Sequence, residues 1–322
     1  MKIVDKKIPG ISTAQDNGQM AALFATYLPS LAGKSLSVDH RVLKHRAGKR
    51  CVFAYDIATA DGTTVLVGKI YRKKRGKRTF GRMQHMLSAA SLSGKKLQMA
   101  EPLAYLPEID MLLLPMLSGK TLEQISEIET IGNAMQSLGQ TLAVLHSLSL
   151  PNCEIRTMRE HLAKYCHPGF DALCNAHPSL QKTVNEILQR LLDFDEIDQM
   201  LKPVHGDINL SQIFVENGSI TLIDFDSSAV ANPALDIGNM FAVLETRFPQ
   251  YFQILQERLQ QSYHQCGGIA LQSQIRLYYG FAFLRRTMIA FRNGAAISEL
   301  ANLLEKSRGL CRLTGVTPAI ND

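Results

Sequence analysis

Three aspartates stand in apolar surroundings within "VHGDINLSQIFVENGSITLIDFDSSAVANPALDIGNMF", residues 204–241: Asp207, Asp224 and Asp226. A carboxylate without a partner is costly to bury, so this placement implies cations, donors or a metal close by. Asp207 follows His205 and Gly206 in a loop behind Pro203, where it can accept a proton from a hydroxyl. Gln212, five residues later, offers an amide carbonyl oxygen. Asp224 closes the apolar run "ITLID" and so lies at a strand tip, with Asp226 two residues on. Magnesium takes hard oxygen ligands, usually a carboxylate or two plus phosphate and water oxygens, which makes Asp224, Gln212 and Asp226 its candidate ligands. A proton acceptor on a loop and a carboxylate at a strand tip are the minimum set for phosphoryl transfer, which is catalysed mostly by positioning and charge neutralisation. Taken singly, an Asp at a strand end is more often a turn residue.

Such a site needs cations, and the chain concentrates them. Residues 41–50, "RVLKHRAGKR", hold five Lys/Arg and no acid; residues 72–82, "RKKRGKRTFGR", hold seven and no acid. These stretches carry 12 of the 35 basic residues, leaving 23 basic against 29 acidic, a net of −6 within a chain whose total is +6. A local anion site explains this better than general nucleic-acid binding. In the turn "HRAGKR", Gly48 permits close backbone approach while Lys49 and Arg50 supply charge. Lys69 stands in the apolar strand "VLVGKIY" and must reach an anion or snorkel. The first turn and the exit of the third strand are expected a strand's length apart, so the second basic run must fold back to join the first. The alternative is that "RKKRGKR" is a solvated loop.

The elements that must hold these groups fall into two textures. Residues 17–31 have a helical apolar face of Met20, Leu23, Phe24 and Leu28. "SVDHRVLKH", "RCVFAYDIATA" and "TTVLVGKIYR" are β-rich runs separated by the turn signals "RAGK" and "ADG", which predicts an antiparallel three-stranded meander. A helix is predicted over 79–92, and "EPLAYLPEIDMLLLP" adds two strands around Pro107–Asp110. Beyond Pro115, Ile131, Met135, Leu138, Leu142 and Leu145 form a buried helical stripe. Helices are predicted at about 178–193, 233–246, 249–264, 270–292 and 296–310, and "QIFVENGSITLIDF" reads as two strands joined by Glu216–Gly218. The expected architecture is α+β: an N-terminal antiparallel sheet lobe over 1–117 and a larger, mainly helical lobe over 118–322, joined at "PMLSGK" by a hinge with a cleft behind it.

Composition narrows the class. With 322 residues, 46% hydrophobic and 20% charged, the chain fits one large domain or two lobes. No apolar run approaches a bilayer span, so no membrane partner is expected. Lys2, Lys6 and Lys7 have no apolar segment behind them, so no secretory signal is expected. Cys51, Cys153, Cys166, Cys174, Cys266 and Cys311 form no C-x-x-C pair and read as reduced thiols of a cytoplasmic protein. Cys153, His161, Cys166, His167, Cys174 and His177 suggest zinc, but their spacing matches no familiar ligand pattern. Buried thiols and helix-surface histidines account for them better.

"VHGDINLSQIFV" followed by "LIDFDSSAVANPALDIGNM" resembles the aminoglycoside phosphotransferase and choline kinase-like family of small-molecule kinases, whose fold is protein-kinase-like. The resemblance covers about Val38 to Arg312, with 204–241 its specific part. It implies Asp207 as catalytic base, Asp224 as principal magnesium ligand, and Lys69 as the strand lysine on the nucleotide phosphates. It implies a structural histidine in His205, a structural aspartate in Asp236, and a hinge at Leu114–Leu117, around Met116, that offers backbone groups to adenine. The cofactors implied are ATP and Mg2+, and the partner is a small-molecule hydroxyl acceptor. No nucleic-acid partner is expected. Gln212 replaces the family's usual Asn, as in maltokinase-like members, which favours a sugar or other polyol as acceptor. Asp171, Glu245, Arg285 and Arg286 are candidates to line the acceptor site. The family's helix Glu that pairs with the strand lysine has no counterpart, since no Asp or Glu occurs from Gly62 to Ala100; Gln84 or His85 holds that place. Either Lys69 pairs only with phosphate or an acid arrives from elsewhere. A pseudokinase or nucleotide-binding scaffold is therefore the alternative to an active kinase.

Overall fold

The computed structural model describes residues 3–150, 153–197 and 200–312. The chain forms two compact units: one runs to Lys120 and takes back Thr221–Asp226, while the other holds Thr121–Ile220 and the chain from Ser227 onward.

The first unit opens with α1 (Ile11–Ala14) and α2 (Asn17–Tyr27). α2 stops short of the helix expected to reach residue 31. Pro29 forces Leu28 out of the helical region, to φ −113° and ψ 103°, and Pro29–Leu31 make only a turn of 3-10 helix. Strands β1 (Ser37–Arg46), β2 (Arg50–Thr59) and β3 (Gly62–Tyr71) form the meander, α3 (Arg75–Leu92) follows, and β4 (Ala104–Leu106) and β5 (Met111–Pro115) complete an antiparallel sheet in the order β1–β2–β3–β5–β4. Strand alternation makes β2 two-faced. Cys51, Phe53, Tyr55 and Ile57 all point into the core, where Phe24 meets the Tyr55 ring edge-on at 5.1 Å. Arg50 and Val52 take the opposite face.

Two expectations change here. The first turn and the exit of β3 lie at the same end of the sheet, because β1 and β3 run the same way on either side of β2: Arg50 is in register with Tyr71, and the Arg72 N–H donates to the Lys49 carbonyl at 3.2 Å. No fold-back is needed to join the two basic runs. Also, α3 begins at Arg75 rather than 79, so half of "RKKRGKR" is helix and not loop. The cause is Asp110, in the β4–β5 turn, whose carboxylate accepts from the backbone N–H groups of Lys74, Gly76 and Lys77 and so satisfies the open end of the helix.

β6 (Lys120–Thr121) opens the way into the second unit at Thr121, and that unit contains α4 (Ile128–Ser147), α5 (Met158–Tyr165), α6 (Phe170–Ala176), α7 (Gln181–Ile197) and β7 (Lys202–Val204). β8 (Ile213–Glu216) and β9 (Ser219–Leu222) form the expected hairpin, with Asn217 and Gly218 at φ 49° and 77°, as a tight primed turn requires. β10 (Ala229–Ala231) pairs antiparallel with β7. Helices α8 (Ala234–Arg247), α9 (Phe252–Gln265), α10 (Gln272–Arg292) and α11 (Ile297–Cys311) complete it. The predicted α4 stripe is fully buried at all five positions. α10 is apolar nearly all round and is the core helix of this unit, with buried residues from Gln274 to Met288. The short strands β7 and β10 and the helices α5 and α6 carry too little periodicity to be read from sequence. Among the described residues no helix is long and apolar enough to cross a membrane.

Candidate active site

In the first unit, the sheet itself arranges the cations. Lys69 is in register with Val52 and Tyr71 with Arg50, so the two-residue period sets Arg50, Lys69 and Tyr71 on one face, opposite the core. The chain delivers two aspartates to them. Leu222 is laid against residues 98–100, its N–H donating to the Gln98 carbonyl and its carbonyl accepting from Ala100, both at 2.9 Å. Asp224 then turns with φ +65°, a left-handed conformation that costs an Asp on the order of 1–2 kcal/mol and needs compensation. The Lys69 ammonium at 2.5 Å supplies it, with the Arg50 guanidinium at 3.4 Å.

Asp226 is more tightly held still. One oxygen lies 2.9 Å from Lys69 Nζ and accepts from the Tyr71 hydroxyl at 2.6 Å; the other accepts from Arg50 Nη1 at 2.5 Å. Its side chain is 6% exposed against 23% for Asp224. The electrostatics follow: burial opposes the charge of Arg50, but Asp224 and Asp226 outweigh it and raise the guanidinium pKa. Burial, then the Asp226 carboxylate, push the Tyr71 hydroxyl well above its ordinary value. The acid absent from α3 is therefore supplied by the aspartates of "DFD". Asp226, expected as a metal ligand, has both oxygens engaged here by two cations and a phenol. Asp224 keeps the more accessible carboxylate, and its oxygens suit magnesium.

The remaining nucleotide candidates of this unit sit as follows. Gly48 has φ +65°, and a Cβ there would meet Lys7 Cδ at 2.9 Å. Its N–H donates to Asp5 at 2.7 Å, and that carboxylate, which also bonds His45, is held below its ordinary value by these bonds. Lys49 is exposed. The Met116 N–H donates to the Val65 carbonyl at 3.3 Å.

In the second unit the "HGD" loop hangs from one buried carboxylate. Asp236, in the first turn of α8, accepts from the backbone N–H groups of His205 at 2.7 Å and Gly206 at 2.8 Å, and lies 3.3 Å from His146 Nε2. Burial works against its charge, but His146, His205 and the Gly206 N–H outweigh it and hold the carboxyl below its ordinary range. His146 is itself fixed by the Tyr263 hydroxyl at 3.0 Å. Its sequence signal was a polar residue next to the apolar stripe of α4. Gly206 needs its glycine twice over, for φ +82° and because a Cβ would lie 2.4 Å from the Ser227 carbonyl. Asn239 adds a 2.5 Å bond to the Ile208 carbonyl.

Asp207 projects from this tethered loop with its side chain 32% exposed and meets Arg285 at 2.6 Å. Asp171 is exposed, Glu245 bonds Tyr279 and Lys306, and Arg286 donates to the Ala282 carbonyl, so Arg285 alone of the four acceptor candidates touches the loop. Gln212 has an evident local duty: its side-chain oxygen accepts from the Asn209 N–H at 3.2 Å, closing a capping box on the 3-10 turn that follows Asp207. The zinc suggestion fails, since among the described residues no three His, Cys, Asp or Glu side chains gather as a metal site. His161, expected on a helix surface, is fully buried between Tyr165 and Phe281.

A five-stranded antiparallel sheet bearing the lysine, followed by a helical unit bearing the "HGD" loop, is the α+β architecture of the kinase-like phosphotransferases. The chain belongs to the phosphotransferase enzyme family (APH), whose model matches residues 54–269. It is similar to the solved apo structure of a thermostable mutant of aminoglycoside phosphotransferase APH(4)-Ia, with 16% identity, a TM-score of 0.61, and coverage of 86% of this chain and 95% of that one. A choline/ethanolamine kinase family protein from Mesorhizobium loti has 15% identity and a TM-score of 0.55, over 91% and 92% of the two chains. Amicoumacin kinase hAmiN, solved with AMP-PNP, Ca2+ and Ami, has 14% identity and a TM-score of 0.58, over 95% and 97%. These likenesses establish the fold. No curated protein matches the chain.

Proposed function

We propose that this protein transfers the γ-phosphoryl group of ATP to a hydroxyl of a small molecule, with magnesium. The observation that carries the reading is Lys69 on the face of the sheet opposite the core, 2.5 Å from Asp224. An ammonium and a metal-suited carboxylate placed together are what a triphosphate needs. Asp207 takes the proton of the acceptor hydroxyl as its oxygen bonds to the γ-phosphorus and the bond to the β–γ bridging oxygen breaks, with ADP leaving. Lys69 and Arg50 hold phosphate oxygens, and Asp226 is the counter-ion that keeps both cations aimed. Asp224 would hold magnesium, which when bound would neutralise charge that builds on the phosphates. Gln212 serves that site through the shape of its loop.

The scaffold reading rests on the acid missing from α3, and Asp226, 2.9 Å from Lys69, supports the kinase over it. In a thermal-shift titration, ATP with magnesium raises the melting temperature, and ADP is released when an acceptor is present. Stabilisation without turnover, across sugars, polyols, hydroxy acids and amino alcohols, would favour the scaffold instead.

A further inference from the structure

Arg285 does something unusual for a residue beside a catalytic base. Its guanidinium lies 2.6 Å from Asp207 Oδ1, covering one of the two oxygens that could take the acceptor's proton. It is not there by chance of a mobile surface chain. Its guanidinium carbon sits 4.4 Å from the centre of the Tyr165 ring, and the Tyr165 hydroxyl donates to the Gly206 carbonyl at 3.0 Å, which ties the ring to the same loop. A planar cation stacked on a fixed ring is preorganised to grip a planar or tetrahedral acid group.

Two further cations lie close by. Lys164 lies 5.1 Å from the same ring centre, and the buried Arg156 donates to the Ser227 carbonyl at 2.8 Å and to Glu154 at 2.7 Å. His161, against Tyr165, adds no charge, because burial and these cations push its pKa down to about 3. A cationic acceptor would be repelled by Arg285, which pairs with the base itself. An acceptor bearing an acid group offers Arg285 a replacement for Asp207 and frees the oxygen that the reaction uses.

We infer that Arg285 selects the acceptor: the substrate is a hydroxyl compound carrying a carboxylate or phosphate group close to the reacting hydroxyl, and that group draws Arg285 off Asp207. This rests on the kinase reading above and specifies its substrate class.

The test uses the full chain and matched acceptors: glucose, glucuronate, glucose 6-phosphate and glucosamine, with glycerol, glycerate and glycerol 3-phosphate. Each is scored by ADP release and, independently of turnover, by thermal shift in the presence of AMP-PNP and magnesium. The acid members are expected to stabilise the protein and turn over above their neutral and amino partners, with the carboxylate and phosphate arms separating the two sources. Arg285→Gln should raise KM for the acid acceptor about 10- to 100-fold and leave KM for ATP unchanged. Arg285→Lys should recover part of that loss, which a merely structural role would not produce. Preference for neutral or amino acceptors overturns the inference while leaving the kinase intact. So does the absence of any acid-specific stabilisation that Arg285→Gln abolishes. Failure of ATP and magnesium to stabilise the protein at all rejects the kinase reading instead.

Discussion

Both units hold an aspartate against an arginine, and they do it in opposite ways. In the first, Asp224 and Asp226 are pinned by side chains: Lys69, Arg50 and Tyr71 rise from one face of a sheet whose register fixes them. In the second, Asp207 is placed by backbone, on a loop that Asp236 grips through the His205 and Gly206 N–H groups, while its own side chain stays a third exposed with one cation against it. A cluster saturated by fixed cations holds charge still and suits phosphates, which must be positioned. A side chain freed from structural duty suits proton transfer, which needs an open oxygen. On the proposed function, the two aspartate systems divide the chemistry: one binds, the other reacts.

Substitutions can test that division. The largest effect is expected at Asp207. Asp207→Ala should lower kcat by about 10²- to 10⁴-fold in an ADP-release assay while ATP–magnesium still raises the melting temperature. Full turnover by this variant would remove Asp207 from the base role. Next is its tether. Asp236→Ala strips the acceptor from two buried backbone donors and from His146, and should cost about 3–5 kcal/mol in urea unfolding. A loss under about 1 kcal/mol would mean that the loop holds its shape unaided.

The aspartates of the first unit should then separate from each other. Asp224→Asn should abolish the magnesium dependence of nucleotide stabilisation. Asp226→Asn should keep that dependence but weaken nucleotide binding about tenfold, by loosening Lys69 and Arg50. Identical loss of magnesium dependence in both would return Asp226 to the metal. A last test, away from both aspartate systems, is a pH response. His161 has its pKa lowered from 6.5 to about 3 by burial and neighbouring cations. Below the ordinary value the unfolded chain binds a proton that the folded chain refuses, so stability falls as pH drops through that range. The fall is about 2 kcal/mol between pH 7 and pH 5. His161→Phe should flatten the unfolding free energy over this interval, and an unchanged slope would place the proton elsewhere.

Much of this was legible in the chain. Alternation marked the meander, the four-and-three spacing marked α4, and "HGD" with "DFD" marked the candidate site, because such patterns are set by neighbours a few residues apart. What failed was also local in form but decided from afar. The basic run before residue 79 reads as loop until Asp110 supplies an acceptor for the helix end. His161 reads as a surface residue until Tyr165 and Phe281 close over it.

The sequence by itself determined the period of each element, the turn glycines, and which side chains could act as base, ligand or cation. Those properties follow from covalent identity and short-range sterics. It could not determine pairing. Lys69 finds its acid 155 residues away in Asp224, and Asp207 meets Arg285 across 78 residues. Tertiary folding settled both, because an ion pair depends on which faces and loops meet, and a one-dimensional pattern carries no record of that.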